Sequence, residues 1–301
     1  MAHTSDNDHS PGNTGTEPSE TTRDLDALPA TSVLAGHPYA EFLGRVAKPG
    51  RYLGGEEQQT CKPLSEDLAC RFVLAFPDLY EVGMSHLGTK IIYKLINSQP
   101  DLACERAFSP WIDVEAELRA RSLPLVSLEN AQPLHAFDVV GVSLQYELCY
   151  TNVLLNLELG GVPLRNVDRN DEHPIVIAGG PTATHPEPLA AFVDLFLVGE
   201  AEEVLPDLLR LIGRMRRGKR SRAEILASCS QVPGIYVPAF YRVELDPRSE
   251  LLVVVGRTPE GIAANAPETI GRVWVRDLDQ YPFPTDFPVP YAEAIFDRAS
   301  V

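Results

Sequence analysis

The apolar residues in the middle of the chain fall into short runs that alternate with amphipathic stretches. Nearly continuous runs of this length are typical of strands covered on both faces, and they span residues 71–76, 102–107, 138–144, 174–178 and 194–198. Apolar residues spaced three and four positions apart predict helices over residues 85–97, 114–121, 147–159 and 201–215. Ser85 is a candidate N-cap of the first helix, and Gly160 with Gly161 closes the third.

Strands that alternate with helices predict an α/β domain with a doubly wound, five-stranded parallel sheet and right-handed crossovers. We assign this domain to residues 61–218. The pattern changes after Cys229, where residues 234–245 and 251–258 read as strands and proline then becomes frequent over residues 283–291. Residues 219–301 are therefore expected to form a small β extension and an extended linker.

The first part of the chain has a different composition. Residues 1–33 are acidic and polar with almost no large apolar side chain, which predicts a disordered tail. Residues 34–60 are interpreted as a lead-in segment with a short amphipathic stretch. The chain stops at Val301 without a closing element, so a further domain is expected to follow.

The net charge of the chain limits the kinds of binding partner to expect. The chain has 301 residues and a formal net charge of −16, which disfavours a broad phosphate-binding face. Its main basic cluster, residues 214–222, is predicted to be a solvated helix end, where cations interact favourably with the helix dipole. No nucleic-acid partner is expected.

The cysteines and the lengths of the apolar runs indicate the cellular compartment to expect. The five cysteines are widely scattered and lack metal-site spacing: Cys61, Cys70, Cys104, Cys149 and Cys229. This usage favours a reducing cytoplasm, with Cys70, Cys104 and Cys149 packed as small apolar side chains. A signal peptide is not evident, and no apolar run reaches the roughly eighteen residues of a membrane span. No membrane partner is expected.

Candidate binding residues lie where the predicted strands end, which is where open α/β sheets bind ligands. They are Asp78, Tyr80, Gly83, Ser143, Gln145, Gly179, Gly180, Pro181, Gly199, Glu200 and Glu202. Two interpretations stay open from the residues alone. The glycines either make tight turns or let a flat, bulky ligand approach the backbone, and the acids either favour a helix dipole or line a site.

Other chemistries fit less well. The chain has no phosphate loop of the Walker type, no dinucleotide-binding glycine turn and no Gly-x-Ser-x-Gly nucleophile elbow. His86, His135, His173 and His185 share no metal-ligand spacing. A glycosidase pair among Glu187, Glu200 and Glu202 lacks sugar-binding aromatic residues. No catalytic or metal-ligating residue is predicted.

Taken together, the strand-end residues resemble one family. The resemblance is carried by FPDLYEVGMSHLGTKIIYKLIN, ERAFSPWIDVEAELR, FDVVGVSLQYELCYTNVLLNLELGGVPL and VIAGGPTATHPEPLAAFVDLFLVGEAEEVLPDLL. These stretches are similar to the N-terminal half of radical S-adenosylmethionine (radical SAM) proteins with a cobalamin-binding-type domain, within an uncharacterised bacterial subfamily. The similarity runs from about Pro38 to the C-terminus.

The resemblance implies a flavodoxin-like Rossmann sheet that holds a corrin between its strand ends and a catalytic domain. Residues 78–83 would form the loop after the first strand, and Ser143 and Gln145 would end the third. Gly179 and Gly180, followed by Pro181, would face the corrin tail. Gly199, Glu200 and Glu202 would line the crevice.

The chain departs from the family pattern in two ways. Tyr80 stands where an axial histidine would lie in Asp-x-His-x-x-Gly, so cobalamin is expected to bind, if at all, without a histidine ligand to cobalt. The cluster motif Cys-x-x-x-Cys-x-x-Cys is absent. The four-iron cluster and S-adenosylmethionine are therefore expected only in a radical SAM catalytic domain, which relatives carry in cis and which could here be a separate chain.

Two alternatives from other functional classes stay open. The first is a docking module that keeps the fold, has lost cobalamin and caps a catalytic domain. The second is a flavodoxin-like binder of a nucleotide or a flavin, although no loop rich in serine, threonine and glycine offers a phosphate site. On each reading this chain performs no radical chemistry by itself.

Overall fold

The computed structural model describes residues 36–63, 65, 67–281 and 285–289. The tail predicted for residues 1–33 lies outside the described residues, as do residues 290–301 at the end of the predicted linker.

The central sheet contains five parallel strands in flavodoxin-like order and one antiparallel edge strand. Its strands are β1 (Cys70–Phe76), β2 (Leu102–Phe108), β3 (Val139–Ser143), β4 (Ile175–Gly179), β5 (Leu195–Leu197) and β6 (Ile235–Tyr236). They are arranged in the order β2-β1-β3-β4-β5-β6, with β6 antiparallel to β5. The predicted doubly wound parallel sheet is confirmed. The sixth strand, Ile235–Tyr236, comes from the sequence that we assigned to the β extension and pairs with β5 of the main sheet.

The helices are α1 (Tyr80–Ser85), α2 (Leu87–Asn97), α3 (Ile112–Arg121), α4 (Tyr150–Leu159), α5 (Leu205–Arg217), α6 (Arg222–Cys229) and α7 (Pro259–Ala263). Short 3-10 turns connect the elements at Leu43–Arg45, Pro49–Tyr52, Leu134–Ala136, Glu147–Cys149, Asn166–Asp168, Pro181–Thr184, Glu187–Leu189, Pro238–Phe240 and Leu278–Gln280. The prediction of Ser85 as an N-cap is wrong, because α1 ends there. His86 caps α2 instead, with its side chain accepting a hydrogen bond from the Thr89 amide.

Helices cover both faces of the sheet. Helices α2 and α5 pack against β1 and β2 on one face. The chain moves in one direction from β1 to β2 and in the other from β2 through β3 to β4. Right-handed crossovers therefore place α3 and α4 on the opposite face. Between α2 and α5 the first face is left partly open.

The lead-in segment packs into the domain. Tyr39, Phe42 and Leu43 are buried, and the Tyr39 hydroxyl donates a hydrogen bond of 2.6 Å to the Pro124 carbonyl. A buried ionic cluster fastens the same segment to β2. In this cluster the Arg106 guanidinium contacts Glu56 at 2.8 Å and Glu129 at 2.7 Å.

The basic run at residues 214–222 is only partly a solvated helix end. Arg222 turns inward and donates a hydrogen bond of 2.5 Å to the buried Asp194 carboxylate, which Arg169 also contacts at 3.0 Å. The expectation of a solvated side chain is wrong for Arg222. Arg222 turns inward because the carboxylate of Asp194, directly before β5, is buried and needs cationic partners.

A β-hairpin follows the main sheet. Strands β7 (Tyr241–Leu245) and β8 (Leu252–Arg257) form a separate antiparallel pair, as expected for a β extension. Apolar side chains of β8, among them Leu252 and Val254, are exposed. The chain then returns to the main sheet, where Val273 forms a parallel bridge with Gly199.

None of the helices among the described residues is long and apolar enough to cross a membrane.

Candidate ligand crevice at the carboxyl ends of the strands

A crevice of about 250 Å³ opens between α2 and α5, at the carboxyl ends of the parallel strands. Its floor is one face of the sheet, because the strand register places the contributing side chains opposite one another. The floor residues are Phe72, Leu74, Gly141, Ser143, Ile177, Gly179 and Leu197. Pockets that enclose a whole drug-sized ligand are larger, at roughly 300–1,000 Å³. The crevice therefore suits one part of a larger ligand.

Gly141 makes the floor flat. A Cβ atom at Gly141 would lie 2.3 Å from the ring of Phe72, so the phenylalanine ring occupies the space where a side chain of β3 would stand. Ile91 and Ile92 of α2 close one side with further apolar surface. A planar apolar group fits such a surface. In the sequence Gly141 had no distinguishing signal, because it lies inside a continuous apolar strand.

Gly179 and Gly180 have different roles. A Cβ atom at Gly179 would meet only the Leu197 carbonyl oxygen, at 3.8 Å, so this glycine leaves open space in the crevice. Gly180 has a φ of +109°, and a Cβ atom there would lie 2.5 Å from the Leu144 carbonyl oxygen. Gly180 is a turn glycine, whereas Gly179 provides room for a ligand.

Gly199 and Glu200 bind a later part of the chain. Gly199 has a φ of +123°, and a Cβ atom there would lie 2.2 Å from the Val273 carbonyl oxygen. The Glu200 amide donates to that same carbonyl at 3.1 Å, and the Glu200 carboxylate accepts a hydrogen bond from the Val275 amide. Both residues also line the crevice, together with Pro181 and Glu202.

A polar group lies beside the floor. The Gln145 side chain donates a hydrogen bond of 2.7 Å to the Ser143 hydroxyl, and both residues line the crevice. His86 belongs to the same group, because its side chain forms a hydrogen bond with Gln145. Burial lowers the pKa of His86, and this hydrogen bond partly opposes the change. His86 was not predicted as a site residue. Its position just before the apolar helix α2 is the only sequence signal that could have indicated it.

The predicted residues after β1 do not line the crevice. The Asp78 carboxylate accepts a hydrogen bond from the Tyr146 hydroxyl, which ties the loops after β1 and β3 together. Tyr80 is buried, and its hydroxyl donates to Glu56. Gly83 allows α1 to pack on Phe108, whose ring would lie 2.2 Å from a Cβ atom at this glycine.

Exposed apolar side chains lie in the segments that follow three strands of the parallel sheet. They follow β1, β2 and β3 in the chain and are Val82, Leu87, Trp111, Ile112, Tyr146 and Leu148. Leu148 is 87% exposed and Ile112 is 71% exposed. Clusters of exposed apolar side chains mark binding surfaces in water-soluble domains. We call this set the apolar rim.

The side chains of the site are suited to binding. Across the described part of the chain, no group of three or more histidine, cysteine, aspartate or glutamate residues is placed to hold a metal ion. The crevice offers hydrogen-bonding groups in Ser143, Gln145, Glu200 and Glu202 above an apolar floor. This combination of an apolar pocket and a few convergent polar groups is typical of ligand sites.

Comparison with known proteins gives a family and several distant relatives. The model of the N-terminal region of radical SAM proteins matches residues 88–238. An uncharacterised protein of Methanocaldococcus jannaschii is 25% identical over 130 residues, which cover 43% of this chain and 23% of that protein.

Two solved structures of the radical S-adenosylmethionine methyltransferase TsrM from Kitasatospora setae are also similar. One, with tryptophan substrate and a SAM analogue bound, has a TM-score of 0.33 at 13% identity and covers 59% of this chain and 29% of that chain. The other, with cobalamin and a 4Fe-4S cluster bound, has a TM-score of 0.34 at 14% identity and covers 62% of this chain and 28% of that chain. Scores this low carry no argument about the site.

This chain spans less than a third of the length of each of these relatives. The family match, by contrast, covers about half of the chain and includes α2, β3, β4 and β5, which build the crevice. The chain belongs to the radical SAM proteins, as their N-terminal region.

Proposed function

We propose that this domain binds cobalamin, with the nucleotide tail of the corrin in the crevice and the corrin ring over the apolar rim. The observation that carries the proposal is the open space beside Gly179, which a side chain of almost any other residue would fill. The flat floor of Phe72 over Gly141 suits the planar base at the end of the tail. The crevice is too small for a whole corrin, which agrees with a tail that enters while the ring stays outside.

The residues of the site fit this ligand by shape and polarity. Ser143 and Gln145 offer a hydroxyl and an amide beside the floor, where they would orient the base of the tail. The exposed side chains of Trp111, Ile112 and Leu148 would exclude water from one side of the ring. When bound, the corrin supplies cobalt chemistry to the catalytic domain, and this chain binds and orients it.

Cobalt would receive no ligand from position 80. Tyr80 is 1% exposed and its hydroxyl is bonded to Glu56, so the phenol lies inside the fold. This supports binding of cobalamin without an axial side chain from the loop after β1.

The radical chemistry belongs to a catalytic domain, in cis or as a separate chain. Four of the five free cysteines are buried, and Cys61 is the exposed thiol; the buried ones are Cys70, Cys104, Cys149 and Cys229. Free, buried thiols fit the reducing cytoplasm that the composition predicts. We expect reconstitution of this chain with iron and sulfide to give no stoichiometric four-iron cluster by absorbance. Stoichiometric binding of such a cluster would contradict the assignment of that chemistry to another domain.

Equilibrium dialysis against hydroxocobalamin, FMN and S-adenosylmethionine tests the proposal. We expect hydroxocobalamin to bind and Gly179→Val to abolish that binding while leaving the fold intact, because the new side chain enters open space. Gly44→Val is the matched control, since a Cβ atom at Gly44 meets no atom within 4 Å and this glycine lies outside the crevice. Equal binding by the parent chain and Gly179→Val would place the ligand elsewhere.

A docking module without cobalamin is the second candidate. The hairpin favours it, because Leu252 and Val254 remain exposed on a two-stranded ribbon, and such ribbons are stabilised by packing against a further element. If the parent chain binds neither hydroxocobalamin nor FMN in dialysis, this candidate replaces the first. Binding of FMN alone would favour the flavodoxin-like alternative.

A further inference from the structure

Residues 272–275 lie in a seat that two glycines build beside the crevice. Gly199 and Gly234 have φ angles of +123° and +79°, which side-chain-bearing residues rarely adopt. A Cβ atom at Gly199 would lie 2.2 Å from the Val273 carbonyl oxygen, and one at Gly234 would lie 2.9 Å from the Val273 side chain. The seat therefore depends on the absence of both side chains.

Hydrogen bonds extend the sheet end through this seat. The Val273 amide donates to the Val198 carbonyl at 3.0 Å, and the Glu200 amide donates to the Val273 carbonyl at 3.1 Å. The Glu200 carboxylate then accepts a hydrogen bond from the Val275 amide. Residues 272–275, which we call the seated segment, are thus fixed by both the backbone and the side chain of Glu200.

Glu200 also forms part of the crevice wall. One residue therefore lines the ligand space and, through its carboxylate, also holds the seated segment. The segment comes after residues 88–238, the region that the family model matches. Its Trp274 is 61% exposed and stacks with the Arg272 guanidinium at 4.0 Å, which presents an aromatic surface next to the crevice.

The geometry points to Glu200 as a positioning residue that couples occupation of the crevice to fixation of the seated segment. This inference rests on the proposed binding of cobalamin. A ligand part in the crevice removes water from the Glu200 carboxylate, and a hydrogen bond in a drier environment is stronger. It also restricts the rotation of the Glu200 side chain, so less freedom is lost when Val275 is bound. Since coupling between two sites is reciprocal, a fixed segment must strengthen ligand binding by the same factor.

Amide hydrogen exchange at Val275 and Val273, measured by NMR with and without saturating hydroxocobalamin, tests the coupling. We expect hydroxocobalamin to slow exchange at Val275 by about 5-fold or more, the lower end of typical coupling between sites. Glu200→Ala should remove this protection and weaken hydroxocobalamin binding by a similar factor. Glu200→Gln retains an oxygen acceptor. Its protection of the Val275 amide and its affinity for hydroxocobalamin should therefore lie between those of the parent chain and Glu200→Ala.

Glu203→Gln is the matched control, because Glu203 is a neighbouring carboxylate that does not line the crevice and the Glu200 bond to Val275 remains. Circular dichroism of each variant checks the fold. If the parent chain binds hydroxocobalamin but exchange at Val275 is unchanged, or if Glu200→Ala exchanges and binds as the parent does, the coupling is wrong and the proposed function stands. If the parent chain binds no hydroxocobalamin, both are overturned.

Discussion

The hydroxyl of Tyr80 donates a hydrogen bond to the carboxylate of Glu56 inside the fold. Burial and the nearby Glu56 charge raise the pKa of the phenol above its usual range, so Tyr80 stays neutral. The family resemblance seen in the sequence implies an axial histidine at this position of the loop after β1. Here the residue joins the lead-in segment to α1.

We therefore expect Tyr80→Phe to lower stability and leave cobalamin binding unchanged. Removing the hydroxyl leaves a buried carboxylate with one donor fewer, which costs about 1–3 kcal/mol. Urea unfolding measures the stability, and dialysis against hydroxocobalamin measures the binding. A change in the visible spectrum of bound hydroxocobalamin in this variant would show that Tyr80 lies near cobalt.

The Arg106 cluster is expected to be the most sensitive electrostatic feature of the domain. Arg106→Met would leave the carboxylates of Glu56 and Glu129 buried without their cation, and breaking such a pair typically costs about 3–5 kcal/mol. Arg119→Met provides a control, because the ion pair of Arg119 with Glu158 is exposed and we expect little change. Similar urea midpoints for the two variants would contradict the assignment of a structural role to Arg106.

The order and type of the elements could be predicted because apolar runs and helical spacing follow directly from burial. All five predicted strands appear, and β3 and β4 differ from their predicted bounds by one residue at each end. Helix α6 escaped prediction because it is short, although Ser221 and Glu224 form a capping box that signals its start. The pattern predicts one strand over residues 234–245, whereas the structure divides this stretch into β6, which pairs with β5, and β7 of the hairpin.

The site was predictable only in part. Their positions at the ends of predicted strands indicated Ser143, Gln145, Gly179 and Glu200, which the fold brings to one crevice. Sequence cannot separate a glycine that makes a turn from one that leaves space, because the difference lies in φ and in neighbours distant along the chain. The role of Glu200 depends on Val275, which is 75 positions later and carries no recognisable motif.

Substitutions at Gly180 and Gly179 are expected to distinguish the turn from the ligand site. We expect Gly180→Ala to destabilise the domain by about 1–3 kcal/mol, because φ is +109° and the new Cβ atom would lie 2.5 Å from the Leu144 carbonyl oxygen. Gly179→Ala should leave stability nearly unchanged, since its Cβ atom meets only ordinary contact. Thermal unfolding of the two variants side by side measures the difference. Equal losses of stability would show that both glycines serve the turn.

His86 should make the stability of the domain depend on pH. Burial is the main cause that lowers its pKa from the usual 6.5, and its Nδ1 atom accepts a hydrogen bond of 3.1 Å from the Thr89 amide, which requires an unprotonated nitrogen. Because the folded pKa is below the unfolded one, the unfolded chain binds more protons between the two values. The contribution of His86 is therefore fully present above pH 6.5 and is lost as pH falls through the folded pKa.

The matched variant is His86→Asn, which keeps a cap acceptor but does not titrate. We expect the parent chain to lose stability relative to this variant between pH 7.5 and pH 5.5, by at most about 1.4 kcal/mol for each unit by which the pKa is lowered. Urea unfolding at the two pH values measures the difference, and groups common to both proteins cancel. Parallel pH profiles would show that protonation of His86 does not disturb the cap. If the parent chain instead gains stability relative to the variant on acidification, the pKa of His86 is raised by folding. An anionic partner would then lie beside the imidazole.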